Sequence, residues 1–149
     1  MDNLFDDAYF MQKALQEAET AFQKGEIPVG AVIVIDNRII ARAHNLTETL
    51  NDVTAHAEMQ AITAAANFLG GKYLQNCTLY VTLEPCQMCA GALYWSQISN
   101  VVYGAKDEQR GCSAMGAKLH PKTQIKGGVL EQESSHLLKR FFIEKRNLN

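Results

Sequence analysis

The sequence has little of what would set it apart from ordinary globular proteins. Its 149 residues include three prolines and one tryptophan, and no tract is rich in Pro, Gly or Ser, so neither a fibrous repeat nor a linker is written into it. No long hydrophobic run exists either. The β-branched stretch Val29 to Ile35 is seven residues long, whereas a membrane-spanning helix needs roughly 20, so no membrane partner is expected. The leading residues Met1-Asp2-Asn3-Leu4-Phe5-Asp6-Asp7 are acidic and lack the pattern of a signal or transit peptide, which makes a cytoplasmic location the expectation. Charge of one sign is also missing overall, at a net −2, but the balance is uneven. Residues 1–99 carry 5 basic and 11 acidic groups, and residues 100–149 carry 9 basic and 5 acidic, which permits a local basic surface in the last third. Cysteine is scarce, and four thiols in a reducing compartment are poor evidence for disulfides. Cys86 and Cys89 are spaced for metal or redox chemistry instead.

At this length a single domain spanning residues 1–149 can bury its own core. Asp6 or Asp7 caps a first helix in which Phe10, Ala14, Ala18, Ala21 and Phe22 recur at near-helical spacing until Gly25 and Pro28. Val29–Ile35 and Arg38–Ala43 read as a hairpin turned by Asp36-Asn37. Thr54 reads as the N-cap of a helix from Ala55 to about Phe68, stopped by Gly70-Gly71. Cys77–Leu83 reads as a buried strand, Glu84-Pro85 as a break, and Cys86–Ser96 as a helix with proline at its opening. Asn100–Gly104 and Gln124–Leu130 are further strands, residues 106–123 an irregular or partly helical loop, and Gln132–Arg146 a closing helix. Strands alternating with helices predict a layered α/β domain around a central sheet.

Two fragments carry the chemistry: His56-Ala57-Glu58, and Pro85-Cys86-Gln87-Met88-Cys89 beginning 29 positions after His56. Each is weak alone. An H-x-E triplet arises readily by chance, and a C-x-x-C opening a helix after a strand also suits a thioredoxin-like pair. Joined, they fit one zinc site, because zinc takes N and S ligands at about 2.0 to 2.3 Å and a catalytic site leaves one position for water. Cys86 and Cys89, at i and i+3, share a helix face, and His56 completes three ligands for one zinc ion per subunit. Glu58 then has another task, as the catalytic carboxylate that takes a proton from the metal's water and returns it to the substrate, help worth roughly 10² to 10⁴ in rate. A closed structural zinc site, with Glu58 as a mere helix-start charge, is the bland alternative. The redox reading leaves His56 and Glu58 without a role.

The H-x-E and P-C-x-x-C pairing is a signature of zinc nucleobase deaminases. The chain as a whole resembles the bacterial tRNA-specific adenosine deaminases of the cytidine-deaminase-like superfamily. Gly25 to Val32, His44-Asn45, Thr54 to Glu58 and Thr78 to Ala92 carry the likeness. The resemblance implies a three-layer α/β/α domain with a central five-stranded mixed sheet, acting on the wobble adenosine of a tRNA anticodon arm to give inosine. It implies that Glu58 protonates N1 and then the leaving ammonia, and that Asn45 contacts the flipped nucleotide. Ala57 and the backbone around Glu84 and Pro85 complete the pocket. It also implies a homodimer.

The segment Glu108 to Pro121 is shorter than in better-known relatives and lacks their Ser-Leu-Met segment, and Tyr94-Trp95 resembles what some free-guanine deaminases carry. A deaminase of a free base or nucleoside, guanine or cytosine, is therefore the rival, and a non-catalytic zinc module binding RNA or a protein is the reading from another class. Candidate RNA contacts are Lys106, Lys118, His120, Lys122, Arg140 and Arg146. Cys77 reads as core, and Cys112 as a free thiol in a polar loop that is not assigned to zinc.

Overall fold

The computed structural model describes residues 4–147, and in them five strands make one sheet with helices on both faces. The first helix, α1 (Asp7–Gln23), is capped by Asp6, whose carboxylate accepts from the Tyr9 amide at 2.8 Å. β1 (Gly30–Ile35) and β2 (Arg38–His44) pair antiparallel. Asp36 and Asn37 both take positive φ, 49° and 61°, as a tight hairpin turn demands. A four-residue helical turn follows, α2 (Thr47–Leu50), then α3 (Ala57–Leu69), β3 (Thr78–Leu83), α4 (Gln87–Ser96) and β4 (Asn100–Ala105). α5 (Cys112–Met115), β5 (Gln124–Lys126) and α6 (Glu131–Asn147) complete the described chain.

The strand order is β2-β1-β3-β4-β5. β1 runs antiparallel to both neighbours while β3, β4 and β5 are parallel, so the sheet is mixed, as the resemblance implied. Because side chains alternate along a strand, each central strand feeds two cores. Ala31, Ile33, Leu79, Val81 and Val101 pack with Ala57, Ala61 and Ala65 of α3 and Leu93 of α4. Val32, Val34, Tyr80 and Val102 pack on Phe10, Met11 and Ala14 of α1. α6 joins α1, with Phe141 meeting Phe22 edge to face at 5.7 Å. The result is the three-layer α/β/α arrangement. Among the described residues no helix is long and apolar enough to cross a membrane.

Three local expectations are corrected. Thr54 is not an N-cap: its amide and hydroxyl both donate to Asp52 Oδ1, at 2.8 and 2.7 Å, so the helix starts later and His56 becomes the N-cap residue. Cys86, too, is an N-cap residue rather than a helical one. The last strand is three residues instead of seven, because the chain leaves the sheet at Gly127-Gly128, where φ reaches +88° at Gly128.

The helix layer comes very close to the sheet at Gly30. A Cβ there would run into the carbonyl oxygen of Ala14 and the amide nitrogen of Ala18, and would lie 2.8 Å from Glu17 Cβ, so α1 rests directly on the strand backbone. Gly30→Ala should therefore destabilise the protein by about 1–3 kcal/mol. The measurable consequence is a melting temperature several degrees lower in a thermal scan; an unchanged melt would mean that α1 can shift without cost.

Candidate active site

The site forms where strand ends converge. The start of β1, the end of β2 and the carboxyl ends of parallel β3 and β4 lie at one edge of the sheet, as the pairings Gly30 with His44 and Leu83 with Ala105 require. Crevices outside the carboxyl ends of parallel strands are the usual ligand sites of such sheets. A cavity of about 670 Å³ opens there, lined by Ile27, Asn45, Ala57, Glu58, Lys106 and Phe142, among others.

His56 and Cys86 both sit at helix N-caps, yet neither side chain caps its helix, which leaves both free to face each other. His56 Nδ1 lies 3.6 Å from Cys86 Sγ and 3.6 Å from Cys89 Sγ. Their donor atoms all fall within 4.8 Å of one another, and this trio is the group with metal-holding geometry among the described residues. One nitrogen and two sulfurs so arranged suit zinc, with a fourth tetrahedral position left over. Cys112 is not part of it.

The electrostatics agree with a cation site. The hydrogen bond from the Cys89 thiol pulls Cys86 down to about 4, against burial and with help from His56, and pushes Cys89 well above the ordinary thiol range. One proton is thus shared by two sulfurs, and a metal ion would displace it. His56 is raised, first by its hydrogen bond with Cys86. The converging N-termini of α3 and α4 favour the same negative charge. Glu58, in the first turn of α3, is pushed up to about 7, chiefly by burial.

Glu84, just before the proline, proves to be a brace. It is buried, and its carboxylate accepts from the Asp107 amide (3.1 Å), the Ser113 amide (3.0 Å), the Ser113 hydroxyl (2.6 Å) and the Cys112 thiol (3.6 Å). A Cβ at Gly111 would strike that carboxylate. The Cys112 amide also donates to the Pro85 carbonyl at 2.8 Å. The wall formed by residues 106–110 is therefore tied to the loop that presents Cys86. Burial alone would raise Glu84, but the Ser113 and Asp107 bonds outweigh it and hold the carboxyl below its usual range. The stability it gives is thus present at neutral pH and lost as pH falls through its native value.

Of the residues singled out in the sequence, Asn45, His56, Ala57, Glu58, Glu84, Cys86 and Lys106 line the cavity, and Cys89 lies behind Cys86. Pro85 is buried beside it and does not line it. Lys118, His120, Lys122, Arg140 and Arg146 are not in the lining. Arg140 lies over the Phe22 ring at 4.4 Å, and Arg146 is one helical turn beyond Phe142 on α6. Tyr94 and Trp95 point elsewhere: Trp95 is 77% exposed, and Tyr94 leans on it and on His120. They give no reason to expect a small-base pocket in this chain. Cys77 is core as expected, and Cys112 is a free thiol as expected, but one buried against Glu84 at the head of α5. Sequence reasoning missed Ile27, Thr47, Arg110, Leu138 and Phe142. Leu138 and Phe142 stand at i and i+4 on a helix face that reads as ordinary core; nothing in the pattern separates a pocket wall from packing.

Residues 5–105 match the family model described as the cytidine and deoxycytidylate deaminase zinc-binding region. The chain is 47% identical to a tRNA-specific adenosine deaminase of Bacillus subtilis (strain 168), over 94% of this chain and 91% of that protein. A structure from studies of A-to-I editing by tRNA:A34 deaminases at the wobble position of transfer RNA superposes with a TM-score of 0.82 at 43% identity, covering 87% of this chain and 99% of that one. A guanine deaminase from Bacillus subtilis gives 0.64 at 41% identity, covering 73% and 69%.

Glu84→Ala should strip the acceptor from at least two amides and cost about 2–3 kcal/mol. Hydrogen exchange at Asp107 and Ser113 should accelerate relative to the β3 amides; unaltered protection there would show that the wall is held by other bonds.

Proposed function

The chain belongs to the cytidine and deoxycytidylate deaminase zinc-binding family, and within it we propose that the protein converts the wobble adenosine of a tRNA anticodon arm to inosine by hydrolytic deamination. The observation that carries the substrate is the likeness in sequence and fold together: 47% identity over 94% of the chain to a tRNA-specific adenosine deaminase, and 43% at a TM-score of 0.82 to a tRNA:A34 deaminase structure, against 41% over 73% of the chain at 0.64 for a guanine deaminase.

His56, Cys86 and Cys89 would hold one zinc ion per subunit, His56 through Nδ1. When bound, the metal lowers the pKa of a water from about 15.7 toward 7 and so supplies hydroxide at neutral pH. Glu58 has its carboxyl in the cavity wall and raised to about 7, a value suited to both taking and giving a proton near neutrality. It accepts the proton of the attacking water and returns it to N1 of the ring. It then takes the remaining proton from the new C6 hydroxyl and gives it to the amine as the C6–N6 bond breaks, so that ammonia leaves and C6 keeps the water oxygen as a carbonyl. Asn45 orients the flipped nucleotide, while Ala57 and Glu84 bound the base and Pro85 sets the break behind them. A base must leave its stack to reach such a pocket, and an anticodon loop presents one cheaply.

Lys106 on the cavity wall and Arg146, which follows Leu138 and Phe142 on one stripe of α6, would meet the RNA backbone. Lys118, His120, Lys122 and Arg140 would serve phosphates farther from the reacting base. Residues 1–149 would act as one domain, in a cytoplasmic homodimer.

Zinc-loaded protein incubated with an anticodon stem-loop bearing a wobble adenosine should yield inosine by mass spectrometry, and free guanine run beside it should stay intact. Guanine turnover with an untouched stem-loop would overturn the assignment. Glu58→Ala should retain zinc and lose at least about 10² in rate, whereas His56→Ala or Cys86→Ser should lose the metal. Affinity for the stem-loop should also fall linearly in log–log terms as salt rises, since each neutralised phosphate releases counterions; a flat response would count against the backbone contacts.

A further inference from the structure

A third buried carboxylate, besides Glu58 and Glu84, has no part in the chemistry above. Glu26 is fully buried in the middle of the α1–β1 connection. Its Oε1 accepts from the Glu48 amide at 3.0 Å, and its Oε2 from the Thr49 amide at 2.7 Å and the Thr49 hydroxyl at 2.6 Å. These are groups of α2, a single helical turn whose N-cap residue is Leu46, a side chain with no oxygen to offer. The first amides of any helix lack intrahelical partners, so Glu26 supplies from 22 residues away the acceptor that the local sequence does not.

The turn held in this way touches Asn45 directly. The Thr47 amide, at the head of α2, donates to Asn45 Oδ1 at 3.3 Å, and Asn45 Nδ2 donates to the carbonyl of Ile27, the residue after Glu26, at 3.3 Å. A backbone amide can only donate and a carbonyl can only accept, so these two contacts fix which end of the Asn45 amide is oxygen. Each end retains one free hydrogen-bonding position, and Asn45 lies in the cavity wall.

We propose that Glu26 is a positioning residue for substrate: by pinning α2 it aims the Asn45 side-chain amide into the cavity in a single orientation. The inference rests on the assignment of Asn45 as a nucleotide contact.

The test is a double-mutant cycle with Glu26→Gln and Asn45→Ala in the zinc-loaded full chain, assayed on the anticodon stem-loop. Glu26→Gln should keep zinc and raise KM about tenfold with kcat little changed, and the same substitution added to Asn45→Ala should raise KM no further, because a residue acting through another loses its effect when that other is gone. Thr49→Val, which deletes one of the three donors and leaves the carboxylate in place, should move KM in the same direction by about two- to threefold. It provides the cycle if Glu26→Gln does not fold. An equal rise in KM on both backgrounds would mark Glu26 as merely structural and overturn the proposal, as would loss of zinc in Glu26→Gln or an unchanged KM in both Glu26→Gln and Thr49→Val. An Asn45→Ala enzyme with normal KM would overturn the nucleotide-contact assignment instead, and the proposal with it.

Discussion

Everything at this site depends on bringing the N-termini of α3 and α4 together over one edge of the sheet. His56 and Cys86 are 30 residues apart in sequence, and their side chains meet because β2 and β3 both run antiparallel to β1 and so end at the same sheet edge, where the helices that follow them, α3 and α4, start on the same core face. Two further conditions must hold. Neither residue spends its side chain as a cap, and the helix-start dipoles lower the cost of a thiolate in a half-buried position. The displacement of Thr54 from the cap by Asp52 belongs to the same arrangement. Had the helix begun at Ala55, His56 would lie inside the first turn with its side chain on a different bearing.

Around that centre the walls of the cavity are irregular backbone, and irregular backbone needs acceptors that sheet and helix do not provide. Glu84 supplies them on the β4 side and Glu26 on the β2 side. The segment after β4 is held in the same way, since its turn is bonded to Glu84, two positions before Cys86. Asp107 reinforces it from within by accepting from the Gln109 and Arg110 amides.

Much of this was legible in advance, and the reasons are local. The first helix, the Asp36-Asn37 hairpin and the strand before Pro85 announce themselves through near neighbours: a cap, two residues tolerant of positive φ, a β-branched run. The metal trio was legible because zinc dictates residue types and spacing. What escaped depends on contacts across long stretches of chain. α2 is stabilised by a glutamate 22 residues upstream, Cys112 looks polar in sequence because its neighbours are polar, and β5 ends early where Gly127 backs against the Tyr103 ring. Tyr94 and Trp95 lie on the metal helix itself, α4, yet outside the cavity lining, with Trp95 exposed and Tyr94 against it.

Among the described residues three glutamates are almost wholly inaccessible, and their carboxyls are not shifted alike. Glu26, Glu58 and Glu84 are 0%, 4% and 2% exposed, so burial pushes all three toward the neutral acid. Two of them are held ionised regardless, because each receives three or more hydrogen bonds from amides, hydroxyls or a thiol whose positions the fold has set. Glu58 has weaker support, from its own amide and the Cys89 thiol, and burial prevails. A carboxyl with a full set of donors is a fixed anion, good for bracing backbone and useless for moving protons. A carboxyl buried without them sits near neutrality, where it can be acid or base in turn. The division of labour between the wall and the reacting centre thus follows from burial weighed against the donors that the fold aims at each side chain, not from the residue type.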